Sequence, residues 1–148
     1  MGVVAPSGAV NREEIEAGIA RLEAAGFRVR VGRATWKRFG YFAGTDEERV
    51  SDLLEMFLDP SVDAVFAARG GYGCARLLPL LDPRILRSHA KVFVGSSDCT
   101  ALLQFLVDRC GMVAFHGPVV STLATNQEAL TGLLAVLAGD GERVVSLP

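Results

Sequence analysis

The sequence predicts a three-layer α/β domain, a mostly parallel sheet with helices on both faces, and three observations lead there. Short apolar runs at residues 2–5, 62–68, 91–94 and 112–115 alternate with stretches of helical periodicity. These runs are apolar at consecutive positions, as strands covered on both faces require. Most are followed within a few residues by glycine, serine or proline, where the chain can turn into the next element. Strand–helix–strand passages of this kind make right-handed crossovers. In such sheets ligands gather at the carboxyl ends of the strands.

Residues 2–5 read as the first strand, left through Pro6-Ser7-Gly8. Asn11 caps the first helix with Glu14 as its capping-box partner, Ile15, Ile19, Leu22 and Ala25 form one apolar stripe, and Gly26 closes it. Phe27 to Val31 alternates apolar and basic residues, the pattern of a strand nearer a sheet edge. Residues 32–44 are irregular and carry Trp36, Phe39, Tyr41 and Phe42, which either line a ligand groove or tuck the loop onto the core. Thr45 and Glu48 form a second capping box, Val50, Leu53, Leu54 and Phe57 give that helix its buried face, and Asp59-Pro60 stops it.

Val62 to Ala68 is the third strand and runs into Arg69-Gly70-Gly71-Tyr72-Gly73, before a helical run from Ala75 to Leu81. Three glycines around an aromatic either let the backbone approach a ligand with its N–H groups presented or serve only to pack strand against helix. The loop is neither a dinucleotide fingerprint nor a phosphate loop, for it lacks the third glycine of the one and the lysine of the other. Met112 to Phe115 is a further strand, with His116-Gly117-Pro118 at its end. A last helix starts near Asn126, covers Leu130 to Leu137 and turns at Gly139-Asp140-Gly141 before a short strand at Val144 and Val145.

The stretch Lys91 to Leu106 carries the sharpest signal. Lys91 to Val94 is strand-like, Gly95 permits a sharp turn, and Ala101, Leu102, Leu103, Phe105 and Leu106 follow at helical spacing. A serine on such a corner projects its Oγ out of the sheet, and N–H groups at the helix start face the place where an oxyanion would form. Ser97 lies two residues after Gly95, the position without a Cβ that an elbow needs, so Ser97 is preferred over Ser96. The second elbow glycine is replaced by Cys99, and Ser96, Ser97 and Asp98 are also ordinary helix caps.

Composition narrows the classes. The chain has 148 residues, enough for one domain with a real core, and a net charge of −2, which offers no basic field for nucleic acid or an anionic membrane. Half of the residues are hydrophobic, consistent either with a face covered by another domain or subunit or with a tightly packed parallel sheet. No signal-peptide pattern or membrane-length apolar run occurs. Cys74, Cys99 and Cys110 have no metal-ligand spacing and read as small buried hydrophobes in a reducing cytosol. With only His89 and His116, a histidine-rich metal site is not expected. No cofactor is called for.

A serine nucleophile needs a base within hydrogen-bond reach. His116 is the one histidine expected at the functional edge, either as that base or fixing its own loop through a backbone hydrogen bond. His89 precedes a strand at the opposite edge. The series GVVAPSG, GYFAGTDEERVSDLLEMFLDP, VDAVFAARGGYGCARLLPLLD, KVFVGSSDCTALL and VAFHGP, collinear over nearly the whole chain, resembles the N-terminal half of the LD-carboxypeptidases, the serine peptidases of muropeptide recycling that include the microcin-immunity peptidases.

The resemblance implies a Rossmann-like or flavodoxin-like domain over residues 1–148, with about 141–148 leading into an interdomain linker. It implies a Ser-His-Glu triad whose histidine and glutamate come from a separate C-terminal domain, so that the isolated chain would be inactive and His116 structural. Ser97 would be the nucleophile, the backbone N–H groups of Asp98 and Gly71 the oxyanion hole, and Gly70, Tyr72 and Ser96 neighbours of the substrate. Ser96, where many relatives have tyrosine, and Cys99, where an aliphatic residue is usual, depart from the pattern near the nucleophile. The implied protein is a cytoplasmic homodimer that removes terminal D-alanine from murein tetrapeptides. A microcin-immunity-type amidase acting on aminoacyl or peptidyl nucleotide conjugates and a non-catalytic Rossmann-like binding module are the alternative readings.

Overall fold

The computed structural model describes residues 1–139. Five strands, β1 (Gly2–Val4), β2 (Arg30–Val31), β3 (Ala64–Ala67), β4 (Val92–Gly95) and β5 (Ala114–His116), form one sheet in the order β2-β1-β3-β4-β5. Every neighbouring pair is parallel. Six α-helices accompany them: α1 (Arg12–Ala24), α2 (Asp46–Leu58), α3 (Pro83–Ser88), α4 (Thr100–Cys110), α5 (Val120–Leu123) and α6 (Gln127–Ala138).

Strand alternation builds two cores, one on each face of the sheet. Val4, Val65, Ala67 and Phe93 point to one side and pack with Leu53 and Phe57 of α2, Leu86 of α3 and Leu102 and Leu106 of α4. Val3, Ala5, Phe66 and Val94 point to the other and meet Ile15 and Leu22 of α1, Val120 and Leu123 of α5 and Leu130 of α6. The expected three-layer α/β architecture is therefore present. At 2.2 Å from Val120 O, a Cβ on Gly18 would collide with α5, so that glycine sets how closely α5 crosses α1.

Local details differ from the sequence reading. β2 keeps only two of the five expected residues, because residues 27–29 lead into it without joining the ladder to β1. The run expected as a helix at 75–81 is a 3-10 turn from Cys74 to Leu80. Pro79 within it lacks the N–H that an α-helical bond would use. Asp82 then caps α3, with Pro83 in its first turn, and α5 is a second short helix that the periodicity did not reveal. At α1, Asn11 accepts from the N–H groups of Glu13 and Glu14 without a reciprocal bond from Glu14, and Ala25 is exposed rather than part of the stripe. The Thr45–Glu48 capping box is complete. The linker expected at about 141–148, with its strand at Val144 and Val145, lies outside the described residues.

The chain passes from β1 outward to β2 and then back across β1 to β3. The sheet's direction of travel thus reverses between β1 and β3, and the loops leaving these two strands diverge there and open a crevice.

Candidate active site

The loops at the carboxyl ends of β1, β3 and β4 meet at this reversal. Ser97 follows β4 and has φ +57°, the only non-glycine residue with positive φ among the described residues. Such backbone costs on the order of 1–3 kcal/mol and persists only where surrounding structure enforces it. Here the enforcement is visible on both sides. A Cβ on Gly95 would stand 2.9 Å from Cys99 Cβ, so the strand can turn this tightly only because that position is glycine. The carboxylate of Asp98 accepts the Cys74 N–H at 2.8 Å, pinning the turn to the segment after the glycine loop. Ser97 is exposed, and the 3-10 turn Ser97–Cys99 leads directly into α4. The first N–H groups of such a turn have no carbonyl behind them to bond.

The two adjacent glycines of the β3 loop serve different neighbours. A Cβ on Gly70 would lie 2.9 Å from Ser97 Cβ and 3.2 Å from its Oγ, whereas one on Gly71, with φ +121°, would lie 3.1 Å from the Cα and N of Gly8. Gly8 N–H donates to the Gly70 carbonyl at 3.2 Å. Ser96 is half-buried in extended backbone, and its carbonyl accepts the Cys99 N–H. Tyr72 is exposed and lines a cleft of about 270 Å³ with Gly8, Ala9, Arg38, Tyr41 and Gly71. Ser97, Gly70 and Asp98 are thus brought together, Gly71 and Tyr72 open the adjoining cleft, and Ser96 lies one residue behind the corner.

His116 ends β5 in register with Gly95. Its ring is exposed and makes no hydrogen bond among the described residues, and the loop is held instead by Gly117 N–H to Gly95 O at 3.0 Å. The backbone bond expected of His116 is therefore made by its neighbour. His89 lies at the opposite edge, its Nδ1 3.0 Å from Ile85 O and 3.1 Å from Ser88 Oγ. Among the described residues no cluster of His, Cys, Asp or Glu is suited to a metal ion, and no helix is long and apolar enough to cross a membrane.

Several supporting residues escaped the sequence reading. Arg49, fully buried on α2, donates to the carbonyls of Pro6 and Gly73 and pairs with Asp46. Arg76 also binds Asp46, and together with Arg49 it holds that carboxyl below the ordinary aspartate range. Phe42 packs its ring against both guanidinium groups, at 4.9 and 5.2 Å. Asp52 accepts from the backbone N–H groups of Arg33 and Ala34, although burial pushes its carboxyl up. The available signal was a charge on the buried stripe, since Arg49 stands four residues before Leu53 and Asp52 four before Met56.

The cysteines are free and buried, as expected. The Cys74 thiol, hydrogen-bonded to the free Cys99 thiol and desolvated, is held far above its ordinary range, and Ser7 Oγ lies 3.5 Å from Cys99 Sγ. The loop at 32–44 divides. Trp36 tucks in under Arg12 at 4.2 Å and Phe42 packs inward, while Phe39 and Tyr41 face outward.

Residues 1–117 match the family model described as LD-carboxypeptidase N-terminal domain. The chain belongs to the LD-carboxypeptidase family. It is 40% identical over 122 residues to a probable murein peptide carboxypeptidase of Bacillus subtilis (strain 168), covering 82% of this chain and 38% of that protein. It is 30% identical over 116 residues to the microcin C7 self-immunity protein MccF of Escherichia coli, covering 78% and 34%. The crystal structure of muramoyltetrapeptide carboxypeptidase from Oxalobacter formigenes superposes with a TM-score of 0.83 at 33% identity, covering 93% of this chain and 48% of that one. The chain spans less than half the length of each of these LD-carboxypeptidase relatives.

Proposed function

We propose that this chain is the nucleophile-bearing domain of a serine LD-carboxypeptidase that removes the terminal D-alanine from murein tetrapeptides. The observation that carries the reading is Ser97, an exposed hydroxyl on strained backbone between the carboxyl end of β4 and the start of a helix, packed against Gly70. The name of the Oxalobacter relative supports a muropeptide substrate. Ser97 Oγ attacks the carbonyl that precedes the D-residue, and its proton passes to a general base and then to the departing amine. The negative charge that develops on the carbonyl oxygen is met by the N–H groups of Asp98 and Gly71. The Gly70 carbonyl is held by Gly8 N–H, and in a trans peptide the following N–H points the opposite way, so this bond fixes the direction of the Gly71 donor. Water then hydrolyses the acyl-serine. In this reading a histidine–glutamate pair from the part of the family's length outside residues 1–148 supplies the base. The isolated chain is therefore inactive, and the full-length protein works as a cytoplasmic homodimer.

The test is D-alanine release from a murein tetrapeptide by the 148-residue chain and by its full-length parent. Activity is expected in the parent alone and to fall by about 10⁴- to 10⁶-fold in Ser97→Ala. Turnover by the short chain would overturn the need for an external base, and unchanged activity in Ser97→Ala would remove the nucleophile. The likeness to the microcin self-immunity protein keeps a serine amidase as the second reading. Cleavage of an aminoacyl nucleotide conjugate, without action on the tetrapeptide, would favour it.

A further inference from the structure

The cleft beside Ser97 has a chemical character that the nucleophile and oxyanion donors do not explain. Arg38 and Arg69 line it, and among the described residues no carboxylate does. Arg69 Nη1 donates to Ala9 O at 2.9 Å, which fixes the guanidinium at the wall with further donors to spare. Arg38 bonds no acidic group among the described residues. Three aromatic side chains stand exposed there, Phe39, Tyr41 at 86% and Tyr72 at 76%. Tyr41 and Tyr72 line the cleft, and Phe39 shares the hairpin that bears Arg38 and Tyr41.

That hairpin is built rather than loose. Phe39 and Phe42 exchange both backbone hydrogen bonds, at 2.9 and 3.0 Å, with Gly40 at φ +61° in the turn. Ala9 N–H donates to Tyr41 O at 2.9 Å, and Ala43 N–H to Ser7 O at 3.3 Å. The hairpin is thereby clipped to the loop after β1, and its side chains are presented without a large ordering cost on binding.

We propose that this cleft is a carboxylate subsite in which Arg38 and Arg69 hold the free α-carboxylate of the substrate's terminal residue between Tyr41 and Tyr72. The inference rests on the peptidase reading and adds how the chain end is measured. Gly70, where a Cβ would meet Ser97, is followed directly by Gly71, which lines the cleft, so the cleft begins one residue from the nucleophile's neighbour. The terminal carboxylate of a C-terminal residue is separated from the scissile carbonyl by only one nitrogen and one Cα, so it too lies close beside the attacked carbon. A space of about 270 Å³ has room for a terminal D-alanine and its carboxylate. An internal amide would bring further chain instead of the charge that the arginines require, so the cleft selects for exo-cleavage.

The test compares the murein tetrapeptide with its C-terminal carboxamide on the full-length protein, as wild type, Arg38→Gln and Arg38→Lys. The wild type should prefer the acid. Arg38→Gln should lower kcat/KM for the acid by about 10- to 100-fold, mainly through KM, and lower it much less for the amide, with partial rescue of the acid in Arg38→Lys. Equal losses on both peptides, or no acid preference in the wild type, would overturn the subsite. If the wild type releases no D-alanine, the peptidase reading fails, and calorimetric binding of the same two peptides to Ser97→Ala decides the subsite separately. An acid preference that depends on Arg38 would sustain it, and indifference would end it.

Discussion

Both edges of the sheet carry charged side chains and use them in opposite ways. At the carboxyl edge Arg49 is buried, with its side chain 0% exposed, and its guanidinium joins the loop after β1, the end of the glycine loop and Asp46. At the amino edge Arg30 reaches Glu55 and Asp59 from a side chain 46% exposed, and Lys91 caps the carbonyls of Asp59 and Val62. The first edge also holds the strained Ser97 and glycines with no room for a Cβ. The second holds a groove of about 600 Å³ lined by Phe27, Val92 and Leu137 together with Arg28, Ser61 and Asp63, and the Ser61 hydroxyl there is bonded to Asp59 on unstrained backbone. Larger volume therefore does not mark the site. What marks it is polar and conformational cost concentrated where three loops converge.

If that contrast is right, the largest stability effect should come from Arg49→Met. The substitution keeps the length of the stem but leaves the Pro6 carbonyl without a donor and the Gly73 carbonyl with only the Arg76 N–H. Breaking a buried charge network costs about 3–5 kcal/mol when the partner is stranded. Asp46 keeps Arg76, so a loss of about 2–4 kcal/mol in denaturant unfolding is expected. A loss no larger than that at an exposed pair would erase the distinction between the edges. Next comes Gly95→Ala, where the new Cβ meets Cys99 Cβ at 2.9 Å and Phe93 Cε1 at 3.2 Å. Overpacking at this level costs about 1–3 kcal/mol. Cys99→Gly removes the facing atom, so the double variant should be less destabilised than the sum of the singles. Strict additivity would mean that the tight corner is not what Gly95 serves.

These residues also show what could be read from the sequence. The Ser97 corner was legible because its cause is local, with Gly95, Ser97 and the helical run within a dozen positions. The alternation of apolar runs likewise located β1, β3, β4 and β5. Arg49 was not legible, since its partners at Pro6 and Gly73 lie 43 and 24 residues away and α2 by itself gives no reason to bury a guanidinium. The separate tasks of Gly70 and Gly71 were hidden for the same reason. Side by side in sequence, one is required by Ser97 and the other by Gly8, contacts that exist only once β1, β3 and β4 are aligned. At β2 the failure ran the other way. Its alternating pattern covered five residues, but an edge strand with one neighbour can stop pairing wherever the chain bends off.

The smallest effect is expected from Arg30→Ala, and its smallness is informative. Arg30 bridges two carboxylates, an arrangement that looks stronger on paper than the single pair of Arg49. Both partners and the arginine itself retain access to water, so solvent offsets most of the attraction, and ordering a long side chain costs entropy. Asp59 is held below its ordinary range first by Ser61, through side-chain and backbone hydrogen bonds, and only then by Arg30. Removing Arg30 thus leaves that carboxylate mostly satisfied. The unfolding midpoint should barely move, and any shift at low salt should shrink as ionic strength rises past the point where the screening length falls below about 10 Å. A salt-resistant loss comparable to that of Arg49→Met would show that the amino edge carries structural charge too, and would locate the difference between the edges in Ser97 and its glycines alone.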